Sequence, residues 1–242
     1  MLLSDRQKDI LTKTVSEYIY RAAPVSSRLL EEQCDLRISS ATIRNELQVL
    51  KEKGFLTQPH FSAGSIPTDR GYRFFVDEIS KQNGELPRNA MEEEHRGLQE
   101  IRDYVGFLQL LSRNLASCSS DLVVAYLPRQ NIVWKEGWEM VLREPEFERK
   151  EYTLHFTKFI SDVAARIRNF KTEKLIHIYI GKENPFSDMK EFSIILAEYS
   201  FLQEKGVISI TGPKRMAYQT NIRLIKSLVY PHAKRRQVAE GN

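Results

Sequence analysis

The segment from Ser39 to Gln48 concentrates side chains that can bind the base edges and phosphates of duplex DNA. In the major groove, arginine pairs with guanine, and asparagine or glutamine pairs with adenine. The candidates for DNA contact in this segment are Ser39, Ser40, Thr42, Arg44, Asn45 and Gln48. The backbone amides at Ser39 and Ser40, at the start of a predicted helix, would suit a phosphate. A polar face of this kind is also typical of a solvated surface helix.

A short hairpin is predicted to follow this helix and supplies further candidates. Phe55 to Gln58 has the pattern of a strand, residues 62–65 form a small polar tip, and Ile66 begins the return strand. A helix followed by such a hairpin is the sequence pattern of a winged helix-turn-helix. The candidates in the hairpin and its flanks are Arg28, His60, Ser62, Gly64 and Ser65.

The sequence lacks the motifs of the common enzyme and metal-binding classes. It contains no phosphate-binding GxxxxGK[ST] loop, no GxGxxG and no GxSxG. None of its five histidines has another histidine four residues away, and its two cysteines provide neither a disulfide framework nor a zinc site. We therefore expect no enzymatic activity, no metal and no other cofactor.

Charge is distributed unevenly along the chain. Residues 1–82 carry 12 basic and 11 acidic side chains, whereas residues 223–242 carry five and one. A DNA-binding segment with so little net charge must rely on the placement of its charges, or on doubling in a dimer. The basic tail, residues 231–242, is predicted to be disordered.

The longest clean apolar run, Leu122 to Leu127, is too short to span a bilayer. The N-terminus has no charged-then-apolar leader, so we expect a cytoplasmic protein without membrane contact.

Serine caps divide the first third of the chain into helices. Ser4 with Gln7 forms a capping-box pattern, Ser26 offers a second cap, and Ser39 begins the polar-faced helix. Ile43, Leu47 and Leu50 follow at helical spacing and predict a buried face. Gly54 ends that helix, and an aromatic-rich fourth helix begins after Thr68. We predict a DNA-binding domain over residues 1–82 and a linker over residues 83–90.

Several of these residues together resemble the HrcA family of heat-inducible transcription repressors. The likeness rests on residues 39–45 (SSATIRN), 58–60 (QPH), 62–64 (SAG) and 66–69 (IPTD). It implies a homodimeric winged-helix repressor that binds double-stranded DNA at an inverted-repeat operator of chaperone genes. It also implies that the GroEL chaperonin maintains its activity, which is lost on heat stress. Two residues depart from the family pattern: Ser65 replaces an arginine, and Phe61 replaces a small polar residue.

The remaining two thirds predict a mixed domain over residues 91–230. One long helix is predicted from about Met91 to Leu115, with an apolar stripe that packs on its own domain or on a second subunit. The predicted strands are Leu122–Leu127, Leu175–Ile180, Phe192–Tyr199 and Val207–Ile210, and a last helix covers Arg215–Val229. The overall expectation is an α+β protein, an N-terminal winged helix-turn-helix followed by an α/β domain with a mainly antiparallel sheet.

The resemblance identifies this second part as a GAF-like domain. It also implies an inserted dimerisation domain, for which residues 128–136 leave no room, so the long helix and the sheet domain become the expected interface. Two other functions stay open: a ligand-gated regulator, and a winged-helix protein-interaction module that no longer reads DNA. Residues that could line a ligand pocket or hold turns are Glu183, Asn184, Gly212, Arg215 and Tyr218.

Overall fold

The computed structural model describes residues 3–34, 36, 38–60, 63–82, 103–170, 174–201 and 204–239. The chain divides into two compact units, Met1–Gln82 and Asn83–Asn242. No helix in the described part of the chain combines the length and the hydrophobicity needed to cross a membrane.

The first unit is a group of helices with a two-stranded antiparallel hairpin. Its elements are α1 (Asp5–Arg21), α2 (Ser27–Gln33), α3 (Ser40–Glu52), β1 (Leu56–Thr57), β2 (Ile66–Pro67) and α4 (Asp69–Gln82). The serine caps begin the helices as predicted: the side chains of Ser4, Ser26 and Ser39 accept hydrogen bonds from backbone amides of α1, α2 and α3. Gly54 follows α3 with a φ of +75°, a conformation that favours glycine.

The core of the first unit is built from the apolar faces of its helices. Its fully buried members include Ile10, Leu11, Val15, Leu30, Ile43 and Leu50. The close approach of α4 to the end of α3 depends on Gly71, where an added Cβ would lie 2.3 Å from the carbonyl oxygen of Phe55. Helix α3 packs on this core through its apolar face, so its opposite face is exposed to solvent.

The second unit is a five-stranded antiparallel sheet with helices on both faces. Its elements are α5 (Tyr104–Ser119), β3 (Leu122–Leu127), β4 (Ile132–Glu136), α6 (Trp138–Val141), α7 (Lys150–Arg166), β5 (Ile176–Ile180), β6 (Phe192–Phe201), β7 (Glu204–Pro213) and α8 (Tyr218–Ala239). The strand order is β4-β3-β7-β6-β5. Side chains of α7 such as Phe156 and Phe159 join the core on one face, while α5 and α8 pack on the other. The expected mixed architecture with an antiparallel sheet is confirmed.

The structure of this unit differs from the sequence analysis in three places. The long helix does not run unbroken from residue 91: Asp103 is extended and caps α5, accepting from the Gly106 amide at 2.7 Å, and the helix continues to Ser119. Residues 91–102 lie outside the described residues. The segment 128–136, in which no strand was predicted, contains a turn at residues 128–131 and strand β4, in which each residue of Ile132–Glu136 pairs with a residue of β3.

The basic tail was the third difference. It was expected to be disordered from residue 231, but α8 continues to Ala239. Residues 233–237 (AKRRQ) are strong helix formers, which favours continuation of the helix beyond Pro231.

The apolar stripe of α5 packs within its own unit. Leu108, Leu111 and Leu115 are at most 4% exposed, and only Val105 near the start of the helix is 37% exposed. Of the two explanations for the stripe, packing on its own domain accounts for these leucines. Leu98 and Ile101, also in the stripe, lie outside the described residues.

Candidate nucleic-acid interface

Helix α3 presents exposed polar side chains opposite a buried apolar face. The buried positions are Ile43, Leu47 and Leu50. Arg44 and Asn45 lie on the exposed side, one turn from the start of the helix. Gln48 is exposed one turn further along, and its Nε2 donates to Oε1 of Glu52 at 3.0 Å. The structure thus places Arg44, Asn45 and Gln48 on one accessible face.

The start of α3 is held by contacts within the first unit. The hydroxyl of Ser39 accepts from the Thr42 amide at 3.4 Å and lies 3.1 Å from the Thr42 hydroxyl. The Ser40 amide donates to Oε1 of Glu31 at 2.8 Å, and its hydroxyl donates to that of Ser27 at 3.1 Å. The expectation of an open Ser40 amide was therefore wrong, because a carboxylate from α2 already occupies the position that a phosphate would take.

The hairpin lies against the connection between α1 and α2. Ser65 and Val25 exchange backbone hydrogen bonds of 2.9 and 2.8 Å, and Ser65 is 2% exposed. A Cβ added at Gly64 would lie 2.6 Å from the carbonyl carbon of Val25. Ser65 and Gly64 therefore lie against the backbone of Pro24 and Val25, and of the two only Ser65 is buried. The buried Ser65 side chain cannot contact DNA in this conformation.

The other flanking candidates differ in how they are placed. His60 is exposed near the tip, whereas Ser62 and Phe61 lie outside the described residues. Arg28 is 82% exposed and pairs with Glu32 on the same helix at 2.7 Å. Exposed ion pairs at this spacing contribute little stability, so this pairing leaves Arg28 able to exchange partners.

Two residues that were not among the predicted DNA contacts, Gln58 and Glu46, hold the candidate interface in place. Gln58 accepts from Nζ of Lys51 at 3.0 Å and donates to the carbonyl oxygen of Ala63 at 2.6 Å, so it links α3 to the hairpin. Glu46 is 9% exposed and accepts from Arg6 at 2.8 Å and from Gln7 at 2.9 Å, so it links α3 to α1. The helical spacing of Glu46 from Ile43 and Leu50 already placed it on the buried face.

The second unit contains the residues that could line a ligand pocket. The residues proposed for a pocket or for turns contact their own unit: Glu183 accepts from the Ile180 amide at 3.1 Å, Asn184 from the Phe186 amide at 2.9 Å, and Tyr218 donates to the Lys214 carbonyl at 2.7 Å. Arg215 pairs with Glu144 and Glu146. These contacts favour the interpretation that the residues hold turns. Within the described ranges, no three His, Cys, Asp or Glu side chains are grouped as metal ligands.

Comparison with known proteins points to one family. Residues 73–222 match the family model described as the HrcA protein C-terminal domain. The heat-inducible transcription repressor HrcA of Acetivibrio thermocellus is 28% identical, and the alignment covers 97% of each protein. That alignment spans 344 positions, so the relative carries residues that this 242-residue chain lacks.

A second relative matches more strongly over a shorter part. The HrcA repressor of Caldanaerobacter subterraneus subsp. tengcongensis is 41% identical over 135 residues, 54% of this chain and 38% of that protein. Among solved structures, one described as a hypothetical protein at 2.2 Å resolution aligns with a TM-score of 0.71 at 19% identity, over 96% of this chain and 98% of the other. This likeness concerns the fold alone.

Proposed function

Because this chain belongs to the HrcA family of heat-inducible transcription repressors, we propose that it is a repressor whose first compact unit is a winged helix-turn-helix that binds operator DNA. The observation that carries the proposal is the exposed pair Arg44 and Asn45 on α3, a helix whose opposite face is fully used in packing. A surface helix needs no such pair for stability, whereas a recognition helix needs it to read bases.

In the proposed complex, α3 enters the major groove and the hairpin lies along the neighbouring backbone. Arg44 would donate two hydrogen bonds to a guanine, and Asn45 would pair with an adenine. His60 near the hairpin tip and Arg28 on α2 would contact phosphates, which fix the register without reading sequence. The Lys51–Gln58–Ala63 chain of hydrogen bonds supports this arrangement because it ties the hairpin to α3.

The proposed operator is an inverted repeat read by a homodimer. Two identical recognition helices related by a two-fold axis match two half-sites on the same face of the duplex. The near neutrality of residues 1–82 supports this stoichiometry, since a single unit with one excess positive charge attracts DNA weakly. As the family resemblance implies, the genes controlled would encode chaperones, and the repressor would act in the cytoplasm.

Heat release would follow from limited stability of the folded repressor. A protein near its folding threshold loses a large part of its active population after a small change in conditions. Assistance by the GroEL chaperonin, which the resemblance implies, would restore that population. Diversion of the chaperonin to other unfolded proteins during heat stress would then lower repression.

Selection of binding sites from a random duplex pool by the full chain tests the proposal. We expect an enriched inverted repeat whose half-sites are spaced by a whole number of helical turns. A pool that shows no enrichment over several rounds at low salt would refute DNA recognition.

The near-neutral charge also favours one other candidate, a winged-helix module that binds a protein. A salt titration separates the two, because binding to DNA releases counterions and weakens steeply with added salt. Binding to a protein partner that is insensitive to salt, without enrichment of DNA, would favour this alternative.

A further inference from the structure

Asp121 is a carboxylic side chain buried where α5, β3 and α8 meet in the second unit. Asp121 is 3% exposed, and its Oδ2 accepts a hydrogen bond of 2.7 Å from Nδ2 of Asn221. Asn221 belongs to α8 and is itself fully buried. Gly212 packs so closely that an added Cβ would lie 2.0 Å from Oδ1 of Asp121. The carboxyl group is therefore enclosed by protein, with little access for the water that would solvate a charge.

Charged groups on neighbouring elements do not compensate a negative charge at this position. Glu144 and Glu146 face Asp121 from the segment between α6 and α7, and Arg215 faces it from the connection between β7 and α8. Arg215 is already paired with both glutamates, with a distance of 2.8 Å between its Nη2 and Oε2 of Glu146. The cluster therefore offers Asp121 two like charges and one cation that is already shared.

The protonation state follows from this setting. Burial raises the pKa of Asp121 to about 8, against the opposing effect of the hydrogen bond from Asn221. The like charge of Glu144 acts with burial, and Arg215 acts against it. The carboxyl group is thus largely neutral at neutral pH, since a buried charge without its own counter-ion is costly.

Asn221 supplies an independent observation that leads to the same conclusion. Its amide oxygen Oδ1 is buried and has no hydrogen-bond donor among the described side chains. A buried acceptor without a donor is destabilising. A protonated carboxyl group has an O–H that can donate to an amide oxygen, whereas a carboxylate has no donor.

We propose that Asp121 and Asn221 form a neutral carboxylic acid–amide pair that fastens α8 to the start of β3, and that ionisation of Asp121 loosens the second unit. The amide N–H donates to one carboxyl oxygen, and the carboxyl O–H donates to the amide oxygen. Loss of the proton removes the second bond and leaves a buried charge facing Glu144 and Glu146. This inference concerns stability and does not depend on DNA binding.

The direction of the pH dependence follows from linkage. The folded chain holds the Asp121 proton up to a pKa of about 8, whereas the ordinary value is 3.8. Between these values the folded state binds more protons, so its stability decreases as the pH rises, and the loss is complete above the folded pKa. The equilibrium constant for unfolding should rise by up to about tenfold per pH unit in that window.

The test is urea unfolding of the full chain from pH 5.5 to 9, followed by tryptophan fluorescence. Both tryptophans, Trp134 and Trp138, belong to the second unit, so the signal reports on that unit. The variant is Asp121→Asn, whose side chain has nearly the shape of aspartic acid but cannot ionise. The control is Asp188→Asn, the same change at an exposed position. We expect the ratio of the wild-type unfolding constant to that of Asp121→Asn to rise with pH and level off above pH 8. The control should follow the wild type, and parallel curves for wild type and Asp121→Asn would overturn the proposal.

A second measurement covers the case in which Asp121→Asn does not fold. Infrared spectroscopy of the wild-type chain at pH 6.5 should show the carbonyl band of a protonated carboxyl group, which disappears as the pH is raised past the folded pKa. Absence of that band in the folded protein would also overturn the proposal.

Discussion

Arg44 and Asn45 are the residues on which the proposed readout of DNA depends. Both are exposed on α3 and neither belongs to the core of the first unit. Their replacement should therefore change binding without changing the fold. This separation of roles makes them suitable for a quantitative test.

We expect Arg44→Ala or Asn45→Ala to weaken binding to the operator by about 1–3 kcal/mol each, the usual value of a lost base contact. Electrophoretic shifts with operator and scrambled duplexes measure the difference. Lys81→Ala on α4 is the matched control for loss of one exposed positive charge. Equal losses on both duplexes would reassign the two residues to backbone contacts.

Glu31 places a negative charge at the end of α3 that would face DNA phosphates in the proposed complex. Its carboxylate accepts from the Ser40 amide at 2.8 Å, at the end of α3 that would face the duplex. We expect Glu31→Gln to keep a hydrogen-bond acceptor, remove a charge that repels phosphates, and tighten binding to operator and scrambled duplexes several-fold at low salt. The gain should shrink at higher salt, and Glu78→Gln on α4 provides the control. Unchanged or weaker binding would show that the carboxylate does not approach the DNA.

The hairpin shows how an element depends on one close contact. Its base is held to the α1–α2 connection by the paired backbone bonds of Val25 and Ser65, and Gly64 allows the two chains to approach. A side chain at Gly64 would overlap the backbone of Pro24 and Val25. The hairpin must therefore shift when this glycine is replaced.

We expect Gly64→Ala to reduce the hydrogen-exchange protection of the Val25 and Ser65 amides and to weaken DNA binding. Gly54→Ala is the matched control, because an added Cβ at Gly54 would meet no atom within 4 Å. Its φ of +75° is unfavourable for alanine, so this substitution should cost about 1–2 kcal/mol of stability through backbone strain alone. Exchange measured by mass spectrometry should show local opening in the first variant alone. Retained protection in Gly64→Ala would show that the hairpin tolerates the overlap.

At the scale of the whole molecule, binding strength depends on the number of units that act together. One near-neutral unit makes few favourable contacts with phosphates, so two linked units gain affinity through effective concentration. The described leucines of α5 pack inside their own unit and are therefore not available for a subunit contact. We therefore predict that the dimer forms through other surfaces.

We expect two chains of 28.2 kDa to bind one full operator, as measured by sedimentation or light scattering. A duplex with one half-site should bind much more weakly. A duplex with the half-sites moved apart by about five base pairs, half a helical turn, should lose the gain because the sites then face opposite sides. One chain per full operator, or indifference to spacing, would contradict a dimeric repressor.

Local chemistry made much of the fold predictable. The caps at Ser4, Ser26 and Ser39 and the spacing of Ile43, Leu47 and Leu50 involve residues within a few positions of one another. The same is true of the exposed face of α3 and of strand β3, which is buried along its whole length. These features were correctly placed because neighbouring residues decide them.

The sequence by itself determined the helices of the first unit, most of the strands, the polar face of α3 and, through its motifs, the family. Only the tertiary structure decided that Ser65 is buried, that Glu31 occupies the start of α3, and that Asp121 meets Asn221 across 100 positions of chain. Helical periodicity and capping act between near neighbours. Burial of a hydroxyl, pairing of a carboxylate or the pKa of an enclosed acid depends instead on which distant segments pack together.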